Sequence, residues 1–373
     1  SIPAALPALA ATLADTRFTS EVIVRRAINA CLRVGSAKEI DLLIAYSERT
    51  GISEALRAEA IATLGSWANP SVMDRVDGRH RGALERNPAD VIARIQPKIP
   101  GFFASENPDV LIATAKLVAE LQLKSFTEIE INLFKNHPNA KVRAALLSSL
   151  AELQTPQLGS ILEKGISDED KNVRGIALSN LNKIELSATE LPAITKPIFE
   201  KGSLTEQQSL LQSMAKMKPA NTSAILADLI QRMVDNQLPS GIKLDLMEAV
   251  EASNEEKLVA KLDALKVKGT LTDEFKEALY GGSVADGRNI FNYNSTVQCV
   301  RCHIVGGEGT NVGPNLKGVA SRLTREQLLQ ALIEPSARIS PGYGTTNFVL
   351  TDGQEVSGSI ISETDELVQL KTN

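Results

Sequence analysis

The chain has 373 residues, 43% of them hydrophobic and 23% charged, with a formal net charge of -5. These ordinary values exclude extended disorder and fibrous repeats, and the charge gives no basic footprint for nucleic acid or anionic lipid. No apolar run approaches the ~20 residues of a membrane helix, and three cysteines are too few for a disulfide framework.

The chain opens SIPAALPALAATLAD, without Met or a charged leader region, and closes ELVQLKTN, a strand-like run. Both ends read as cuts in a longer protein, with an export signal expected upstream. With aromatics at 4% beside abundant Ala and Leu, the composition favours helices over β-sandwiches.

From the N-terminus to about residue 280 the dominant signal is a repeat. Val142-Arg143-Ala144-Ala145-Leu146 recurs as Val173-Arg174-Gly175-Ile176-Ala177, and each copy places an apolar stripe on one helix face. Related segments begin near Val24, Leu56, Leu111, Gln207 and Lys243. Steps of roughly 31 to 35 residues, with one longer, lie in the range of helical repeats. The long step is explained by an irregular insert near 69–100, with Pro70, Pro88, Pro97 and Pro100 at its joints as helix breakers. Ser203-x-x-Glu206 is a capping box and Ser167-x-x-Asp170 a near version of one. Each helix pair must stack on its neighbours to bury its apolar face. The pattern resembles HEAT or armadillo repeats, which implies an α-solenoid.

Within this part the chemistry-bearing residues have ordinary readings. Cys31 is expected in the core. His80 belongs on the surface of the insert, and His137 in an inter-helix turn before Pro138. Met214 and Met217 follow a core stripe, and Trp67 plugs the insert against the repeats.

After about Tyr280 glycines become frequent and the Ala-Leu periodicity gives way. A short helix over 283–293 precedes Cys299-Val300-Arg301-Cys302-His303. C-x-x-C-H is the attachment signal for c-type haem: two thiols reach the two vinyl groups at a porphyrin edge, and the next residue turns its imidazole to the iron. A zinc site would need a second Cys/His pair, and a thioredoxin-like site a preceding βαβ pattern; neither is present in the sequence. One covalent haem c is therefore expected, with His303 as the metal ligand.

Gly313-Pro314-Asn315-Leu316 follows. The order of elements is similar to the class I cytochrome c fold. That resemblance implies that Phe291 packs near the haem edge, Pro314 holds His303 through its carbonyl, and Leu316 lines the pocket. Thr324-x-x-Gln327 starts a helix that stops at Pro335, and Asp352-Gly353 turns a hairpin between Asn347–Leu350 and Val356–Ile360, with a third strand at 367–370.

Glu334-Pro335-Ser336, Ile339-Ser340-Pro341-Gly342-Tyr343 and the Asp-Gly hairpin with Gly358 resemble one family more closely: the planctomycete and verrucomicrobial haem-binding C-x-x-C-H domain of large exported proteins. In many of these a HEAT-like segment precedes the domain and a quinoprotein-type sugar dehydrogenase propeller precedes that. Trp67-x-x-Pro70 with Asp74-Arg75-Val76-x-Gly78 is similar, more loosely, to that HEAT segment.

One departure concerns the sixth iron ligand. All five methionines precede His303. Either a ligand-bearing tail lies beyond the chain, the favoured expectation, or the iron is five-coordinate, or Tyr343, His80, His137 or water takes the position.

The expected architecture is mainly α: a HEAT/armadillo-like solenoid over 1–280, then a c-type cytochrome domain over 281–373 with a small β-hairpin or meander insertion and a truncated C-terminus. The expected function is one-electron transfer by haem, with electrons from an upstream or partner dehydrogenase passed to an acceptor, in the periplasm or otherwise outside the cytoplasm. No catalytic constellation stands out. Two alternatives are a fragment of a quinone-cofactor (PQQ) sugar dehydrogenase and a solenoid scaffold that binds a protein partner and carries a haem sensor.

Overall fold

The computed structural model describes residues 3–76, 79–265, 269–306, 308–310, 312–340 and 342–371. Gly78 and Pro341, quoted above for the resemblance, and the extreme termini lie outside these residues. The chain divides into two compact units: Ser1–Val76 with His80–Leu265, and Lys266–Asn373 with Asp77–Arg79.

The first unit is an array of packed helices, as the repeat requires. The expected repeat starts fall on helices Glu21–Val34, Glu54–Gly65, Pro108–Glu120, Ala140–Glu152, Lys171–Ser179, Leu204–Met214 and Lys243–Ser253. Their apolar stripes join one continuous core that runs from Ala10 to Leu262. Cys31, Val142, Leu146, Val173, Ala177 and Met214 all lie within it. Capping chemistry sets the helix starts. Ser203 and Glu206 form both halves of the expected box. Ser167 instead closes helix Leu158–Ile166, and Asp170 caps the next helix by accepting from the N–H groups of Asn172 and Val173. The carboxylate is the better acceptor there, so the helix begins three residues later than the Ser-x-x-Asp pattern suggests.

The arginine after each repeat valine clamps neighbouring repeats. Arg143 makes a two-pronged contact with Asp168 (2.9 and 2.8 Å) and donates to the carbonyls of His137 and Pro138. Arg174 does the same one repeat on: it pairs with Glu206 at 2.6 Å and donates to the carbonyls of Asp168 and Glu169. Arg25 pairs with Glu59. The Arg143 and Arg174 guanidiniums thus each hold their own entry turn by main-chain oxygens and the following repeat by a carboxylate.

The insert is shorter than the prolines imply. Its irregular part ends at Pro88, the N-cap of helix Ala89–Ile95. Pro97 and Pro100 sit in the first positions of the turn Gln96–Lys98 and helix Ile99–Phe103. A missing N–H costs nothing there, so these prolines start turns instead of ending a helix. Trp67 is 2% exposed. Arg86 lies 4.9 Å above its ring and also donates to the carbonyls of Trp67 and Leu32. His80 is exposed and bridges Met73 across the insert.

In the second unit Ser283 caps helix Val284–Tyr293, and a full Thr324–Gln327 box caps helix Arg325–Ile333. A two-residue ladder, β1 (Ile304–Val305) with β2 (Glu308–Gly309), was not expected. A three-stranded antiparallel meander follows: β3 (Thr346–Val349), β4 (Glu355–Glu363) and β5 (Val368–Lys371), in that order. Gly353 turns the hairpin in the left-handed region at φ 81°. Composition groups residues 269–280 with the solenoid, yet they pack on helix Arg325–Ile333. Thr272 donates to Glu334, and Arg325 donates to the Leu279 carbonyl beneath the Tyr280 ring. The compositional change at Gly281 marks a loop rather than the edge of a packing unit.

Candidate functional site

Gln298 adopts a left-handed backbone (φ 47°) and turns the chain into a single 3₁₀ turn, Cys299–Arg301. The N–H groups of Cys302 and His303 both donate to the Cys299 carbonyl, at 3.1 and 3.0 Å. One turn therefore carries Cys299, Cys302 and His303. Val300 anchors it at 5% exposure, and helix Val284–Tyr293 packs against it. The two thiols are free, Cys299 half-buried and Cys302 exposed.

The loop after His303 folds back beneath the imidazole. Thr310 N–H donates to the Val300 carbonyl, Gly313 N–H to that of Cys302, and Leu316 N–H to that of Ile304. These bonds bring the Pro314 carbonyl to 2.8 Å from His303 Nδ1. A carbonyl only accepts, so Nδ1 carries the proton and Nε2 is left with a lone pair for a metal. Phe291 and Leu316 are half-buried, on the helix that adjoins the turn and on the returning loop.

Three further residues shape the site, and sequence reasoning gave them no role. A side chain at Gly309, whose φ is +108°, would overlap the His303 carbonyl oxygen. At Gly313 a Cβ would lie 2.9 Å from Cε1 of the His303 ring, so only glycine lets the loop approach this closely. Arg322 donates to the carbonyls of Asn315 and Lys317 and fixes the loop next to Pro314. Gly313 belongs to the quoted motif, but Arg322 leaves no sequence signal because its partners are main-chain oxygens.

These residues fit a covalently held porphyrin. Two thiols and an oriented imidazole are the donors, and among the described residues no group of three or more His, Cys, Asp or Glu could hold a bare metal ion. Val300 is the one hydrophobic side chain buried in the described part of this unit, while Val284, Ile290, Val312 and Leu332 are 84, 50, 71 and 81% exposed. A domain of this size needs a larger core, and an apolar macrocycle bonded at the turn supplies one. His137 caps helix Thr127–Asn136 and accepts at Nδ1 from Asn139 N–H; His80 is exposed in the insert; Tyr343, in the second unit, is 42% exposed.

Among the described residues no helix is long and apolar enough to cross a membrane. A family model described as Cytochrome c matches residues 284–355, which hold the C-x-x-C-H turn, the Pro314 loop and the capped helix. No curated protein matches the chain. The match gives this region a covalently bound haem c with its iron, a role in electron transfer, and redox partners.

Proposed function

We propose that Cys299 and Cys302 form the two thioethers, that His303 is the proximal ligand through Nε2, and that the chain relays single electrons from a dehydrogenase to an acceptor outside the cytoplasm. The observation that carries this reading is the hydrogen bond from His303 Nδ1 to the Pro314 carbonyl. It orients the ring and raises its basicity as a ligand. The haem supplies the redox chemistry. The chain supplies attachment, ligand orientation by Gly313, Pro314 and Arg322, and partial exclusion of water by Phe291 and Leu316.

The Glu334-Pro335-Ser336 and Asp-Gly hairpin signatures favour the planctomycete and verrucomicrobial type of domain. The donor on this reading is a quinoprotein-type sugar dehydrogenase, upstream in the same polypeptide or as a separate partner. The solenoid, which ends at Leu265, then acts as the spacer or docking arm between donor and cytochrome domain. The test is to mix haem-loaded chain with a reduced quinoprotein sugar dehydrogenase and follow the haem absorption. Reduction by one electron per haem supports the reading. A haem that dithionite reduces and the dehydrogenase does not would contradict the proposed donor.

A further inference from the structure

A second site lies in the solenoid, far in sequence from Cys299 and Cys302. The turn 15–20 before helix Glu21–Val34 and the turn 48–53 before helix Glu54–Gly65 enclose a cleft of about 650 Å³. That volume lies in the range of small-molecule sites.

The walls and floor differ in chemistry. Val24 and Leu56, each 4% exposed, form an apolar base, and Phe18, 40% exposed, stands at the rim. Tyr46 also lines the cleft and is 5% exposed, yet its hydroxyl has no hydrogen-bond partner among the described residues. The oxygen is not among the fully enclosed polar atoms, so the hydroxyl is open to the cleft and available to a ligand there. The Arg49 guanidinium lies 5.3 Å from the centre of the Tyr46 ring and uses one N–H on the Ala14 carbonyl. Its other donors remain for a ligand. Glu48, the carboxylate on the same rim, is engaged by Lys98 at 2.8 Å.

The start of helix Glu54–Gly65 adds donors. Ser53 is its N-cap, but the Ser53 side chain makes no cap hydrogen bond. The N–H groups of Glu54 and Ala55 therefore lack the usual acceptor, and a helix N-terminus of this kind favours an anion. Gly51, at φ +74°, turns the chain just before Ser53, and both residues line the cleft with Tyr46.

We infer that this cleft binds a small aromatic monocarboxylate: the ring lies on Val24, Leu56 and Phe18, the carboxylate meets Arg49 and the start of helix Glu54–Gly65, and the Tyr46 hydroxyl completes the polar contacts. Charge and apolar base together select the class. A neutral ring lacks the Arg49 contact, and a bare inorganic anion leaves the base uncovered.

The test uses the full haem-loaded chain and calorimetric titration with benzoate, benzamide and inorganic phosphate. Benzoate binds saturably at one site, and the other two bind at least about tenfold more weakly, since a charge-assisted contact and the apolar base each contribute about one order of magnitude. Arg49→Gln weakens benzoate about tenfold, and Tyr46→Phe by about three- to tenfold, with unchanged far-ultraviolet circular dichroism. If a variant loses helicity, perturbation of benzoate proton signals by the unmodified chain, competed by a second aromatic carboxylate, decides instead. No saturable benzoate binding, equal binding of benzamide, or full affinity in a folded Arg49→Gln chain overturns the assignment.

Discussion

His303 Nδ1 and the Pro314 carbonyl oxygen stand 2.8 Å apart, and the approach depends on the hydrogen atom that Gly313 carries in place of a side chain. Replacing Pro314 by Ala keeps the carbonyl, so the informative substitution is at Gly313. Gly313→Val places a branched side chain against Cε1 of the ring and drives the loop away. The expected result is a lower yield of haem-loaded protein and faster exchange of the His303 Nδ1 proton in the NMR spectrum, while Pro314→Ala changes both far less. Equal exchange rates in the two variants would contradict the steric role of Gly313.

Arg143 is a buried tie between neighbouring repeats of the solenoid. Its side chain is 8% exposed and that of Asp168 9%. Arg143→Ala leaves Asp168 buried without its cation and strips the carbonyls of His137 and Pro138 of a donor, so a loss of about 3 to 5 kcal/mol is expected. Arg143→Lys keeps the charge but not the two-pronged geometry and recovers only part of it. Urea unfolding followed by Trp67 fluorescence, from the chain's single tryptophan, measures both.

Two buried carboxyls set opposite limbs of a pH profile. Burial pushes Glu130 up to about 8 from its ordinary 4.5; the hydrogen bond from Ser149 only partly offsets this. Between those values the folded chain keeps a proton that the unfolded chain releases, so stability falls as pH rises from about 4.5 to 8. Burial would also raise Glu206, but hydrogen bonds from Arg174 and from the Ser203 side chain and N–H outweigh it and hold its carboxyl at about 2. There the unfolded chain takes up the proton first, so stability falls as pH drops from about 4.5 to 2. Unfolding midpoints at several pH values should show both limbs. Glu130→Gln flattens the upper one and Glu206→Gln the lower. An upper limb unchanged in Glu130→Gln would assign it to another group.

Burial pushes the Cys31 thiol up to about 12, and the nearby Glu39 adds to the effect; the side chain is fully enclosed. A buried thiol with so little thiolate is inert. Maleimide should label native, haem-loaded protein at Cys31 only on the unfolding timescale, and at once in denaturant. Rapid native labelling at Cys31 would contradict its place in the core.

Legibility in the sequence followed how local each determinant is. The Val-Arg stripes, the Ser203–Glu206 and Thr324–Gln327 boxes and the Asp352-Gly353 hairpin are short-range patterns, and all appear as elements at those positions. C-x-x-C-H is local too, so its three residues share one turn. The determinants that escaped are contacts between segments. Arg322 reaches carbonyls, Gly309 avoids one, and the start of residues 269–280 packs on a helix some fifty residues later. The Pro97 and Pro100 reading failed for a different reason: proline breaks a helix interior but starts a new turn equally well, and only the neighbouring backbone decides.

Covalent attachment of haem at Cys299 and Cys302 can be read by mass spectrometry of denatured, acid-acetone-extracted protein. The haem mass stays with the polypeptide, on the peptide that contains Cys299–His303, and is absent from the Cys299→Ala, Cys302→Ala double variant. Haem that extracts into the organic phase, or that remains on the double variant, would contradict it.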